Sequence, residues 1–473
     1  MKDADIGFMS AAALAAAYSS REISPVEATR AILERIEALN DALNAFCLVD
    51  ADGALKAARE SEKRWAAGEP LSAIDGVPTS VKDLILAKGW PTGRGSLVAA
   101  SGPAEADAPS VARLREAGCV LIGKTTTPEM GWKGVTDCPR TGITRNPWDP
   151  SKTPGGSSGG AAAQVAAGLG QLAIGTDGGG SIRIPAGFSG IAGIKPAFGR
   201  VPAWPMSPFG TVAHVGPMAR TIEDCALMLT VMAKGDARDW YALPDSGTDF
   251  AKEIEDGVKG MRIAVSRDLG VADLDPEIAA LFDAAVEVLA GLGADVEEAD
   301  PGIGDCFDIF QTHWTAGAAK VLSAFDAGQR AQMDPGLVAM AEEGARLSLM
   351  DYLNAAAERA ELGARMRAFH TRFDALVTPT LPIPAFEAGE LSPRGWPERR
   401  GRNWIPWTPF SYPFNLTQQP AASVPCGFTR AGLPGGLHIV GPMHDEATML
   451  RIARAYETAT DWGDRRPAMA DIG

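Results

Sequence analysis

The stretch that most constrains this chain runs from residue 154 to 183 and reads PGGSSGGAAAQVAAGLGQLAIGTDGGGSIR. Two glycine-rich turns, each holding a serine, flank a run of small residues. Gly155-Gly156-Ser157-Ser158-Gly159-Gly160 and Gly178-Gly179-Gly180-Ser181 can take backbone conformations closed to residues with a Cβ. Glycines beside a serine remove steric cover from its hydroxyl and let successive N–H groups converge on one cavity. The residues between the turns, about Gly159 to Leu169, predict a helix slim enough to lie flat on a sheet. Gly-Ser clusters more commonly make plain flexible turns, so the pattern needs a third element.

Lys82 supplies it, in Val77-Pro78-Thr79-Ser80-Val81-Lys82-Asp83-Leu84-Ile85. A lysine is a base only when neutral, and its ordinary pKa of about 10.4 forbids that at pH 7. Burial among apolar neighbours depresses it. Alone, Lys82 would read as a surface residue paired with Asp83. Joined to two serine turns, it points to a nucleophile, a proton relay and main-chain donors, and hence to acyl transfer from an amide or a close relative.

Several ordered blocks resemble the amidase signature family: DGVPTSVKDLI, LIGKTTTPEMGW, TRNPWDPSKTPGGSSGG, IGTDGGGSIRIPAGFSGIAGIKPAFGRV and HVGPMART, with weaker echoes in PFNLTQQPAASVPCGF and GLPGGLHIVG. The resemblance implies a single α/β domain over 1–473, with a mixed twisted sheet flanked by helices on both faces. Its parts are an N-terminal helical region to about residue 70, a signature core over about 71–230, and a C-terminal part over about 260–465 completing the sheet and pocket. The same resemblance makes Ser181 the nucleophile, Ser157 the relay serine on a cis peptide bond, and Lys82 the base. The N–H groups of Gly178, Gly179, Gly180 and Ser181 would form the oxyanion hole. Ser158, Thr176, Asp177 and Arg183 take supporting roles, the last two by holding the nucleophile's turn with hydrogen bonds.

For the substrate, Met130 and Trp132 fall in the segment that lines one side of the family's cleft. Trp404 and Trp407, in an irregular stretch at about 388–408, with Phe410 and Tyr412 just beyond, are expected to border the entrance. Together they imply an apolar pocket for aryl or other bulky amides, with carbamates (urethanes) and esters open to the same attack. The glutamine-hydrolysing component of tRNA-dependent amidotransferases, a member of the same family, carries an aspartate ahead of NL-x-x-x-P; here that position is Thr408. A stand-alone amidase is therefore the leading expectation. Its rivals are that amidotransferase component and a catalytically silent ligand-binding protein on the same fold.

Composition excludes other classes. The 473 residues, 46% hydrophobic and 22% charged, carry a net charge of −15, which argues against nucleic acid as a primary partner. The short basic cluster Arg394, Arg399, Arg400 and Arg402 reads as a solvated loop. Six scattered cysteines without a CxxC pair make no disulfide framework and point to a reducing compartment. The run AAALAAAY at 11–18 follows Asp3 and Asp5 rather than a basic segment, so it reads as the first helix of a cytoplasmic protein. No apolar run reaches membrane-spanning length. Gly118–Thr125 matches GxxxxGK[ST], but its CVLI interior reads as a buried strand rather than a phosphate loop. GGSSG matches GxSxG, yet His214, His313, His370, His438 and His444 offer no partner motif. No metal-ligand spacing is present, so neither metal nor cofactor is expected. Assembly into homo-oligomers stays open.

Local signals fix several elements. Ser24-Pro25-Val26-Glu27 is a capping box with proline at the first helical position, and a further helix is predicted over Asp52 to Trp65. Short apolar runs at 120–123, 172–176, 262–266 and 375–380 predict strands that alternate with helices.

Overall fold

The capping box starts the helix Pro25–Leu43 in the computed structural model, which describes residues 3–99, 102–252, 254–395 and 403–471. Ser24 Oγ accepts the Glu27 amide at 3.2 Å, and the Glu27 carboxylate accepts the Ser24 amide at 2.8 Å. The second predicted helix is Ala51–Ala67, capped by Asp50. Both pack beside one end of the sheet, burying Ile32, Ile36, Leu39, Ala54 and Ala58 against Val120 and Ile122.

The strands in chain order are β1 (Phe46–Val49), β2 (Pro78–Lys82), β3 (Val120–Thr125), β4 (Asp137–Cys138), β5 (Gly142–Ile143), β6 (Leu172–Asp177), β7 (Ala192–Lys195), β8 (His214–Ala219), β9 (Arg262–Val265), β10 (Asp295–Glu298), β11 (Ala375–Pro379), β12 (Ala421–Phe428) and β13 (Pro434–Val440). All four predicted apolar runs are among them. β4 and β5 pair only with each other, and the rest form one mixed sheet in the order β1-β3-β2-β6-β8-β7-β12-β13-β11-β9-β10. Its left half pairs β3, β2 and β6 in parallel, β8 and β7 then run antiparallel, and β11, β9 and β10 are parallel again.

Side chains alternate across each strand, and the two faces bury different partners. Leu172 and Ile174 of β6 join a large core with the helices Ile222–Met232, Pro276–Gly291 and Glu446–Thr458. Ala173 of the same strand faces the helices Gly159–Ala166 and Arg183–Ser189 through Ala161, Ala162, Val165, Ile182 and Ala186. The small-residue helix is needed on this side. A Cβ on Gly160 would lie 2.3 Å from Thr126 Oγ1 and 2.5 Å from the Ala45 carbonyl. The fold is thus a mixed α/β domain with helices on both faces of a large mixed sheet.

Candidate active site

Lys82 ends β2, and Asp83 turns to the other side, as alternation requires. Asp83 pairs with Lys124 of β3 at 3.0 Å rather than with its neighbour in sequence. Lys82 is fully buried, with Nζ 2.7 Å from Ser157 Oγ, 2.9 Å from Ser158 Oγ and 2.8 Å from Thr176 Oγ1. Burial pushes its pKa well below the ordinary lysine range, while the charge on Asp177 pulls the other way. The Ser158 hydroxyl donates to the Thr176 carbonyl at 3.1 Å, so it presents lone pairs to the lysine. A neutral amine fits this setting: two N–H donors go to Ser158 and Thr176, and the lone pair faces the Ser157 hydroxyl.

Ser157 follows a cis Gly156–Ser157 peptide bond. Glycine is required before it, because a Cβ on Gly156 would fall 2.5 Å from the Val135 backbone. The second turn joins β6 to the helix Arg183–Ser189. Its inside is filled by the Asp177 carboxylate, which accepts the Gly180 amide at 2.8 Å, the Ile182 amide at 3.2 Å, and Arg183 Nε and Nη2 at 2.9 and 3.0 Å. Burial alone would raise this carboxyl, but the Arg183 guanidinium outweighs it and holds the pKa well below the usual carboxylate range. The Gly180 amide, expected among the oxyanion donors, is therefore committed within the turn. Those of Gly178, Gly179 and Ser181 make no bond to that carboxylate.

Arg183 has further acceptors: the Ser411 carbonyl at 3.0 Å, Asn415 Oδ1 at 2.6 Å and His438 Nε2 at 3.1 Å. Thr378 donates its hydroxyl to the Pro379 carbonyl at 2.9 Å and sits 3.2 Å from His438 Nδ1. The imidazole proton therefore lies on Nδ1, and Nε2 receives the guanidinium. Burial, with the Arg183 charge adding to it, pushes His438 well below the usual histidine range, consistent with that neutral tautomer.

Ser157, Thr176, Gly178 and Ser181 meet on the wall of one cavity of about 430 Å³. Met130 and Gly131 line it beside Ser157, and a Cβ on Gly131 would sit 3.4 Å from Ser157 Oγ. Leu84, Phe198, Trp314, Val321 and Phe325 add apolar surface, together with the whole run from Pro202 to Gly210. Phe209 stacks on Trp314 with centroids 4.0 Å apart.

Comparison with known proteins decides the family. The sequence model of the family described as Amidase matches residues 27–450. The chain is 37% identical to an acylamidase of Rhodococcus erythropolis, over 99% of each. It is 37% identical to a glutamyl-tRNA(Gln) amidotransferase component of Myxococcus xanthus (strain DK1622), over 95% of this chain and 96% of the relative. A bacterial aryl acylamidase of the amidase signature family superposes with a TM-score of 0.89 at 32% identity, over 98% of both chains. The chain belongs to the amidase family. It is an amide-bond hydrolase. The substrate complex of 6-aminohexanoate cyclic dimer hydrolase is also similar, with a TM-score of 0.88 and 30% identity over 98% of the amidase and all 100% of that chain.

Within the amidase, four of the expected pocket residues lie elsewhere. Trp132, Trp404, Trp407 and Phe410 are buried in a second core and do not line the cavity; of the five, only Met130 does. Trp404 packs edge-on against Phe310 and Trp314, Trp407 stacks on Phe188, and the Trp132 indole donates to Asp334 at 3.2 Å. Aromatic density there signals packing against the helix Phe307–Leu322 rather than an entrance. Of the basic cluster, Arg394 pairs with Glu390 at 3.4 Å, and Arg399, Arg400 and Arg402 lie outside the described residues. Sequence reasoning gives Asn415, His438 and Ser411 no role, although PFNLTQQP and GLPGGLHIVG carry the first two. The 202–210 wall leaves no signal. Among the described residues no group of three or more His, Cys, Asp or Glu could hold a metal ion, and no helix is long and apolar enough to cross a membrane.

Proposed function

We propose that the amidase cleaves carbon–nitrogen amide bonds through an acyl-enzyme on Ser181, with Ser157 and neutral Lys82 as the proton relay. The observation that carries this reading is a buried lysine whose hydrogen-bond partners are three hydroxyls, Ser157 nearest at 2.7 Å. The Lys82 lone pair takes the Ser157 proton as Ser157 takes that of Ser181. Ser181 Oγ attacks the carbonyl carbon, and the amides of Gly178, Gly179 and Ser181 face the oxygen on which charge develops. The proton returns through Ser157 to the leaving nitrogen, which departs as a neutral amine. Water then attacks the ester by the same route and frees Ser181.

The apolar cavity supports aryl or otherwise apolar amides as substrates, as do the names of the acylamidase relatives. Carbamates and esters present the same carbonyl to the same serine. Glutamine fits poorly. Thr408 is buried with its hydroxyl donating to the Ile405 carbonyl at 2.9 Å. The carboxylate of Asp239, on the cavity wall, is occupied by the Ala203 and Tyr241 amides at 2.8 and 2.9 Å. A stand-alone enzyme in the cytoplasm agrees with six free cysteines. A serine-directed fluorophosphonate should label Ser181, and aryl amides should turn over with the isolated chain. Near-normal hydrolysis by Ser181→Ala overturns the acyl-enzyme. Glutaminase activity that appears only with added amidotransferase partners overturns the stand-alone reading.

A further inference from the structure

We infer that Arg94, assisted by Lys320, forms an anion-binding rim on the cavity, and that the amidase prefers amides carrying a carboxylate at the end remote from the scissile bond. This rests on the amide-hydrolase reading above and adds a chemical class to it.

Four observations lead there. First, Arg94 and Lys320 both line the cavity and are exposed, and no ion pair or side-chain hydrogen bond engages either among the described residues. Neighbouring cations are tied down: Arg140 donates to the Ser96 carbonyl at 3.1 Å, and Arg238 pairs with Asp236 at 2.7 Å. Second, the lining sets these two cations against a single carboxylate, Asp239, which forms an ion pair with neither and accepts two main-chain amides. The rim is thus locally cationic in a chain of net charge −15, and such a patch selects and steers anions.

Third, Arg94 occupies the left-handed backbone region at φ 53, and so does Met130 at φ 54. The two are joined by the Met130 amide donating to the Arg94 carbonyl at 2.8 Å, while the Arg94 amide donates to the Asp83 carbonyl at 3.1 Å. That conformation is unfavourable for any residue with a Cβ. Glycine, present on both sides at 93 and 95, would relieve it. An arginine held there without an internal partner is an outlier of the kind that accompanies function. Fourth, Arg94 shares its wall with the relay serine, because the Met130–Gly131 segment bonded to it is the one against Ser157 Oγ. A substrate body lying on the apolar surface would bring its far end to the guanidinium. A planar guanidinium matches a carboxylate with two parallel hydrogen bonds.

The test uses two matched pairs of amides and the intact wild-type chain. One pair carries the charge on the acyl side: glutaric acid mono-4-nitroanilide against butyric 4-nitroanilide. The other carries it on the amine side: 4-acetamidobenzoate against 4-acetamidobenzamide. In at least one pair the acid should be favoured by about tenfold in kcat/KM, through KM, and 0.5 M salt should erode that ratio. Arg94→Met should bring the ratio to about one, and Lys320→Met should lower it less. Arg94→Gly, which also relieves the left-handed residue, should abolish the preference as fully as Arg94→Met, so a folding defect cannot imitate the result. Neutral anilides turned over with no preference for either acid, or a ratio unchanged by both Arg94 variants, overturns the inference and leaves the amide-hydrolase reading intact. Absence of all amide turnover in wild type overturns both.

Discussion

Lys82 and Lys124 lie on adjacent parallel strands, offset by about one residue, and both are fully buried. Burial lowers the pKa of each. They differ in what they touch. Lys124 has a counter-ion, Asp83 at 3.0 Å, and also donates to Thr92 Oγ1 at 2.7 Å and the Pro91 carbonyl at 3.0 Å. Lys82 has hydroxyls. A carboxylate beside a buried ammonium favours the charged form and makes it a strut; hydroxyls leave the amine free to be neutral and to accept a proton. In this sheet the withheld counter-ion, rather than depth, separates the proposed base from a brace.

The sharpest way to break that contrast is to remove each lysine. Lys82→Met should lower kcat by about 10⁴-fold or more, with a thermal midpoint no lower than wild type, because an apolar side chain replaces a polar one in a dry site. Lys124→Met should do the opposite. Stranding the buried Asp83 costs about 3–5 kcal/mol of stability, read by denaturant titration, while the folded fraction keeps most of its activity. Adding Asp83→Asn to it should restore part of the loss. Equal damage to stability from both single variants would end the distinction.

The pH profile sharpens it further. In the proposed relay activity requires neutral Lys82, whose pKa burial lowers, so kcat/KM should rise with pH and level off well below the value of about 10.4 of a free lysine. Between those two values the unfolded chain binds a proton that the folded chain does not. Stability therefore falls as pH falls from about 10.4 towards the folded pKa. Lys82→Met should remove its share of that slope. A profile that climbs only near pH 10 would mean that the amine stays charged.

Smaller effects probe the turn and the wall. His438→Phe takes one acceptor from Arg183 and should lower kcat about tenfold with little change in KM. His438→Gln keeps an acceptor and should recover most of it. Met130→Ala should change KM for aryl amides a few-fold, whereas Trp407→Ala should cost about 3–5 kcal/mol of stability and leave the order of substrate preference unchanged.

Much of this arrangement could be read from the chain. The glycine-serine turns, the slim helix between them and the lysine at a strand end rest on local chemistry, and the capping box and apolar runs do as well. Family likeness ordered the parts. The Lys82–Asp83 pair that Lys82 alone would suggest does not form, because adjacent strand residues point to opposite faces, and only tertiary contact shows that Asp83 meets Lys124. The aromatic assignment failed for a related reason: composition counts tryptophans but does not say which are covered. Trp404 is covered by a helix about ninety residues earlier in the chain, and Trp407 by Phe188 and Phe386. His438 and Asn415 converge on Arg183 from distant segments, and no spacing rule joins them.

Residues 196–213 bridge β7 and β8, which are neighbours in the sheet, and supply Phe198, Pro202, Trp204, Met206 and Phe209 to the cavity. The proposed proton path runs instead through β2, β6 and the two serine turns. Much of the apolar cavity wall and the proposed bond-breaking residues thus occupy separate stretches of chain. Grafting a different 196–213 insert between the same two strand ends should retarget the catalyst while leaving its working parts in place.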